Sequence, residues 1–130
     1  MRILALDYGS ARIGCAISDP SETLARPLAV LEPADPRGVA ELIASHEVER
    51  VVVGMPLQLN GREGEQAEAT KRFSDELREL VEVPVEAYDE RLTTRMAESS
   101  RRSGAQAPED ALAAAHLLEG YLASRRGRGA

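Results

Sequence analysis

Residues 3–6, Ile-Leu-Ala-Leu, leave neither face of a period-2 element polar, which is the pattern of a strand covered on both sides. That run ends in Asp7, followed by Gly9 and Ser10. The next apolar segment, "RIGCAIS", alternates Ile13, Cys15 and Ile17 with Gly14, Ala16 and Ser18. It predicts a hairpin partner whose small residues line one face, where something packs close. "TLARPLAVL" predicts a third strand, placed at a sheet edge by Pro27. After the breaker "PADPRG", residues 37–46 predict a helix with Val39, Leu42 and Ile43 inward.

"ERVVVGMP" predicts a short, wholly apolar central strand, and residues 57–66 a polar, glycine-containing loop. A helix is expected over residues 65–81, with Phe73, Leu77, Leu80 and Val81 on one stripe. "VPVEAYDE" predicts a fifth strand and "LTTRMAESSRR" a helix, followed by a loop. Pro108 introduces the last helix, "DALAAAHLLEGYLA". Three meander strands followed by α/β crossovers imply one α/β domain over residues 1–124, with a basic flexible tail over 125–130. The expected architecture is a ribonuclease-H-like fold: a five-stranded mixed sheet, three antiparallel strands and then two parallel ones, with helices on both faces.

Composition narrows the function classes. A net charge of −6 argues against indiscriminate binding of nucleic acid over the whole surface, yet 15 of the 16 cations are arginines. Arginine is the better bidentate partner for phosphate, although an Arg- and Ala-rich chain can equally reflect codon composition. No apolar run is long enough to span a membrane, and the start of the chain lacks signal-peptide features, so the expected location is the cytoplasm. The single cysteine, Cys15, reads as a small buried hydrophobe. His46, at a surface helix end, and His116, embedded in an Ala/Leu helix, are poor candidates for a general base.

Acids stand at three informative places. Asp7 ends the first strand, in the crevice where open α/β sheets bind ligands; capping the turn at Gly9 is the structural alternative. Asp89 and Glu90 end the fifth strand, and parity alone does not say which enters the crevice. Asp110 shares a helical stripe with Ala114, Leu117 and Tyr121, and an acid in a first helical turn also suits the helix dipole. Ala111, Ala113, Ala114 and Ala115 keep that helix slim enough to lie close on the sheet. Together these acids supply hard oxygen ligands of the kind Mg²⁺ or Mn²⁺ prefers, and paired ions of this type support phosphodiester hydrolysis.

The segments "LALDYGSARIGCAISD", "VVVGMPLQLNGREGEQA", "YDERLTT" and "DALAAAHLLEGYL" resemble, in order and separation, the four motif blocks of the YqgF (RuvX) family. They cover roughly half of the chain, and the combination is far more specific than any single block. That family belongs to the RNase H-like, RuvC-type nucleases; its members are regarded as Holliday junction resolvases and as nucleases processing the 5′ end of pre-16S ribosomal RNA. The resemblance implies that Asp7, Glu90 and Asp110 are catalytic, metal-binding acids, with Asp89 adjacent. It implies nucleic-acid contacts from Arg12, Asn60, Gly61, Arg91 and Thr93, with Gly14, Glu63 and Thr94 also matching. The chain departs from the family at Ala11, where lysine is frequent, and before the third acid, where Arg101 and Arg102 are followed by "SGAQAPE".

The expected partner is nucleic acid, pre-16S rRNA first and branched DNA second. No exposed apolar stripe announces an interface, so a monomer is favoured over a dimer. Two rivals remain: an RNA-binding module that does not cut, and half of an actin-like phosphotransferase, suggested by "DYGSARIG". The second needs two such domains to enclose a nucleotide.

Overall fold

The computed structural model describes residues 1–55, 61–89 and 109–129. Strand β1 (Ile3–Tyr8) pairs antiparallel with β2 (Ile13–Ser18), which pairs antiparallel with β3 (Ala25–Leu31). Helix α1 (Pro36–Ser45) leads to β4 (Arg50–Met55), parallel to β1; α2 (Gly61–Leu80) leads to β5 (Val85–Asp89), parallel to β4. Helix α3 (Glu109–Gly129) closes the order. The sheet runs β3-β2-β1-β4-β5, so the Pro27 strand is an edge, as its missing N–H demands. This is the mixed α/β sheet that the pattern predicts.

The two faces of the sheet are built differently. One carries Leu4, Leu6, Ile13, Ile17, Val51 and Val53 against Val39 and Ile43 of α1 and Phe73 and Leu77 of α2. The other carries Ile3, Ala5, Ala16 and Val52 against Ala114, Leu117, Leu118, Tyr121 and Leu122 of α3. Cys15 is fully buried on the first face, where burial pushes its thiol up to about 12. At the start of α1, Asp35 accepts a hydrogen bond from the Arg37 N–H, and Pro36 stands where no partner is needed.

Helix α2 differs from expectation at its start. Residues 61–64, read as loop from their glycines and charges, are already helical. A sparse stripe suffices there because tertiary packing of Phe73 and Leu77, and not propensity, stabilises the helix. Helix α3 likewise continues to Gly129, beyond the boundary at residue 124 drawn from composition. The helix and loop expected over residues 92–108 lie outside the described residues.

Candidate active site

Asp7 lies directly opposite Gly14 in the β1–β2 ladder, so the two residues point to the same face of the sheet. That face is the one α3 covers, as Ile3 and Ala5 on β1 and Ala16 on β2 show. A Cβ built at Gly14 would meet the Asp110 carbonyl oxygen at 2.0 Å and the Asp110 Cβ at 3.0 Å. Only glycine tolerates this approach of helix to strand. Adding the roughly 5 Å that separates directly opposed Cβ atoms puts the Asp7 and Asp110 Cβ positions within about 9 Å of each other. Two carboxylates at that spacing can share one cation, since Mg²⁺ takes oxygens at ~2.1 Å.

Several contacts hold this corner. Gly9 N–H donates to the Arg12 carbonyl at 2.9 Å, closing the hairpin that follows Asp7. Gln66 Nε2 of α2 donates to the Tyr8 carbonyl at 2.8 Å, and the Tyr8 ring stacks on Phe73 with centroids 4.6 Å apart. Helix α2 therefore grips the strand end immediately after Asp7. Arg12 reaches back over the hairpin: its Nε is 3.6 Å from Asp110 Oδ2 and 3.9 Å from Glu32 Oε2. Both Arg12 and Asp110 are about half exposed to solvent, so the pair contributes little stability, and other partners compete with it easily.

The structure thus brings together Asp7, Arg12, Gly14 and Asp110, and it places Gly61 at the first position of α2. Asn60, Glu90, Arg91 and Thr93 lie outside the described residues, as does Thr94. Among the described residues no group of three His, Cys, Asp or Glu side chains could hold a metal ion. The donor chemistry available, two aspartates on one face of one corner, is that of a hard divalent cation and not of a soft one. His46 caps the C-terminus of α1 and His116 is buried on α3, away from any base role, in keeping with their sequence positions.

Gln66 escaped the sequence reading. It lies where the polar stretch "GREGEQ" reads as loop, and its single signal is a position one helical turn before Thr70, on the buried side of α2. Thr70 is nearly inaccessible, and its hydroxyl donates to the Gln66 carbonyl at 2.7 Å.

Comparison with known proteins shows the family and the fold. The RuvX family, described as Holliday junction resolvase, matches residues 1–124. A protein of Anaeromyxobacter sp. named "Putative pre-16S rRNA nuclease" is 44% identical over 135 residues, covering 96% of this chain and 98% of its own. A protein of the same name from Chloroflexus aurantiacus is 42% identical, covering 95% of this chain and 88% of its own. Among solved structures, Thermus thermophilus RuvC in complex with a Holliday junction substrate superposes with a TM-score of 0.64 at 16% identity, covering 98% of this chain and 97% of that one. The fowlpox virus resolvase bound to Holliday junction DNA gives 0.57 at 14% identity, covering 95% and 98%. At such identities these two establish the fold: it is that of the RuvC-like resolvases.

Proposed function

We propose, from the premise that this chain belongs to the RuvX family and is a nuclease of that family, that it hydrolyses phosphodiester bonds in pre-16S ribosomal RNA, trimming its 5′ end with Mg²⁺ or Mn²⁺. The observation that carries this reading is the contact of Asp110 on Gly14, the ladder partner of Asp7. It supports an acidic corner facing the strand ends, which is where a cation-dependent hydrolase needs its ligands.

In this reading Asp7, Glu90 and Asp110 hold the metal. Glu86 and Tyr88 on β5 face α3, since Glu86 accepts a hydrogen bond from Tyr121 and the Tyr88 ring meets Tyr121 edge-on. That alternation favours Glu90 over Asp89 as the third acid. Asp7, Glu90 and Asp110 would hold such a cation, and its chemistry there would be activation of water and stabilisation of the departing oxygen. The chain's own groups do the rest. Arg12, an exposed guanidinium beside Asp110, is placed to grip two oxygens of a phosphate bidentately. The first-turn N–H groups of α2, beginning at Gly61 next to Asn60, offer further donors to phosphate. Arg91 and Thr93 follow the third acid directly in sequence and contact the same backbone. Gln66, through the Tyr8 carbonyl, keeps the strand end that presents Asp7 from fraying.

Leu24 and Leu80 are the exposed large hydrophobics among the described residues, and they do not form a stripe; this supports action as a monomer. No described helix is long and apolar enough to cross a membrane, which accords with a site of action in the cytoplasm. The test is incubation of a 5′-extended 16S precursor with the full chain and Mn²⁺, comparing the natural sequence with Asp7→Asn. Cleavage to a shorter 5′ end, abolished by Asp7→Asn, is expected; cleavage unchanged by that substitution overturns the assignment. A four-way DNA junction serves as competitor, because the family description and the RuvC complex favour it as the second substrate.

A further inference from the structure

The C-terminal half of α3 borders a groove of about 900 Å³ at the opposite end of the sheet, lined by β5, the start of β4 and the β2–β3 turn. Its side chains form one network. Arg50 Nη1 donates to Glu86 Oε1 at 3.0 Å and to the Tyr121 hydroxyl at 3.3 Å, and Tyr121 in turn donates to Glu86. Arg125 Nη1 donates to the Tyr121 hydroxyl at 3.4 Å, its guanidinium lies 5.7 Å from the Tyr121 ring centroid, and its Nε is 3.3 Å from Glu22. The Tyr88 ring stands perpendicular to that of Tyr121 at 5.6 Å. Glu22 sits at a φ of 59°, a conformation that side chains rarely adopt, and there its carboxylate meets Arg125.

Two features of this network point outward to a ligand. Arg50 Nε is buried and has no acceptor among the described residues, so the guanidinium beside the groove is only partly satisfied by Glu86 and Tyr121. The groove also combines the Tyr88 ring, the guanidiniums of Arg50 and Arg125 on their Glu86 and Glu22 partners, and the hydroxyls of Ser124 and Thr23, while the Tyr121 ring lies largely buried under Arg125. Planar faces suit a nucleobase, guanidiniums a phosphate, and hydroxyls and carboxylates the donors of a ribose. A volume of about 900 Å³ admits such a unit with room to spare.

We propose that this groove is a second contact for the RNA substrate, holding one unpaired nucleotide of the strand whose scissile phosphate lies at the Asp7–Asp110 corner. It takes its choice of RNA from the function proposed above. The spacing fits a continuous strand. Fifteen residues of α3 separate Asp110 from Arg125, about 22 Å at the helical rise, and this is the span of about six stacked nucleotides. In sequence, Tyr88 of the groove precedes Glu90, the third acid of the proposed site, by two residues.

The test uses the full chain carrying Asp7→Asn in EDTA, so that binding is read without cleavage, and a fluorescein-labelled single-stranded RNA hexamer followed by anisotropy. Arg125→Ala removes one guanidinium; Ser124→Trp fills the groove and leaves both ion pairs in place. Each is expected to raise the hexamer Kd by about tenfold or more while the melting temperature holds. AMP and UMP are expected to bind much more weakly than the hexamer. Hexamer affinity within about twofold of the parent in both variants overturns the proposal, as does equal affinity for the free mononucleotides. Hexamer binding lost on plugging the groove, with the 16S precursor uncut by the natural chain, refutes the proposed cleavage of that precursor and leaves the groove standing as an RNA contact.

Discussion

The two faces of the sheet contain similar numbers of buried residues and do different work. On the face covered by α1 and α2, large aliphatic side chains fill the space between the layers: Leu4, Leu6, Ile13, Ile17, Phe73 and Leu77. On the face covered by α3, the sheet offers Ala5, Gly14, Ala16 and Gly54, and the helix answers with Ala111, Ala114 and Ala115. Volume on the first face sets how stable the domain is. On the second, Ile3, Val52, Leu117, Leu118 and Leu122 also fill space, but the small residues at the helix–strand crossings set how close the helix comes, and hence where Asp110 sits relative to Asp7. A Cβ at Gly54 would press the end of the Leu117 side chain at 3.0 Å, a tight but yielding contact, unlike the backbone that a Cβ at Gly14 would meet.

Substitutions that add or remove volume separate these roles. Gly14→Ala pushes a methyl group into the Asp110 backbone, 2.0 Å away, so the helix start must move. Cleavage of the 16S precursor is expected to fall about 100-fold or more, with overpacking costing about 1–3 kcal/mol in denaturant unfolding. Gln66→Ala cuts the tie from α2 to the Tyr8 carbonyl. Turnover should drop about tenfold, and stability by ~1 kcal/mol. Leu6→Ala, on the opposite face, reverses the balance. It should cost about 2–5 kcal/mol of stability and leave the activity of the folded fraction within about threefold. Should Leu6→Ala inactivate the folded protein while Gly14→Ala spares it, the division of labour between the faces is wrong.

The smallest effect concerns pH. Burial raises the Cys15 thiol from 9.0 to about 12, so the folded chain keeps a proton that the unfolded chain releases. Its contribution to stability is intact below pH 9.0 and declines between 9.0 and about 12. Replacing it with alanine should remove that alkaline component from unfolding curves. A thiol reagent at mildly alkaline pH should leave the native protein unlabelled until it unfolds.

Much of this contrast is readable in the chain. The alternation of Ile13, Cys15 and Ile17 with Gly14, Ala16 and Ser18 already separates a bulky face from a slim one, and the alanines around Asp110 announce a close-lying helix. Period-2 and helical patterns report burial, which is a local property of each element. The start of α2 was illegible because its first turn carries glycines and charges, and its stability comes from Phe73 and Leu77 three turns later. Gln66 and the groove were illegible for a related reason. Their partners, Tyr8 for Gln66 and Glu22, Glu86 and Tyr121 for the arginines, are distant in sequence and meet only through the sheet order. Asp7 and Asp110 were nameable as candidates, but their proximity depends on one glycine contact that no periodicity encodes.

The central claim is that Asp7, Glu90 and Asp110 form one cation site. Titration of Mn²⁺ into the full chain, followed by electron paramagnetic resonance of the free ion, tests it without substrate. The natural sequence should bind Mn²⁺, and Asp7→Asn, Asp110→Asn and Glu90→Gln should each weaken that binding by about tenfold or more. Equal Mn²⁺ affinity in all four proteins would contradict the account.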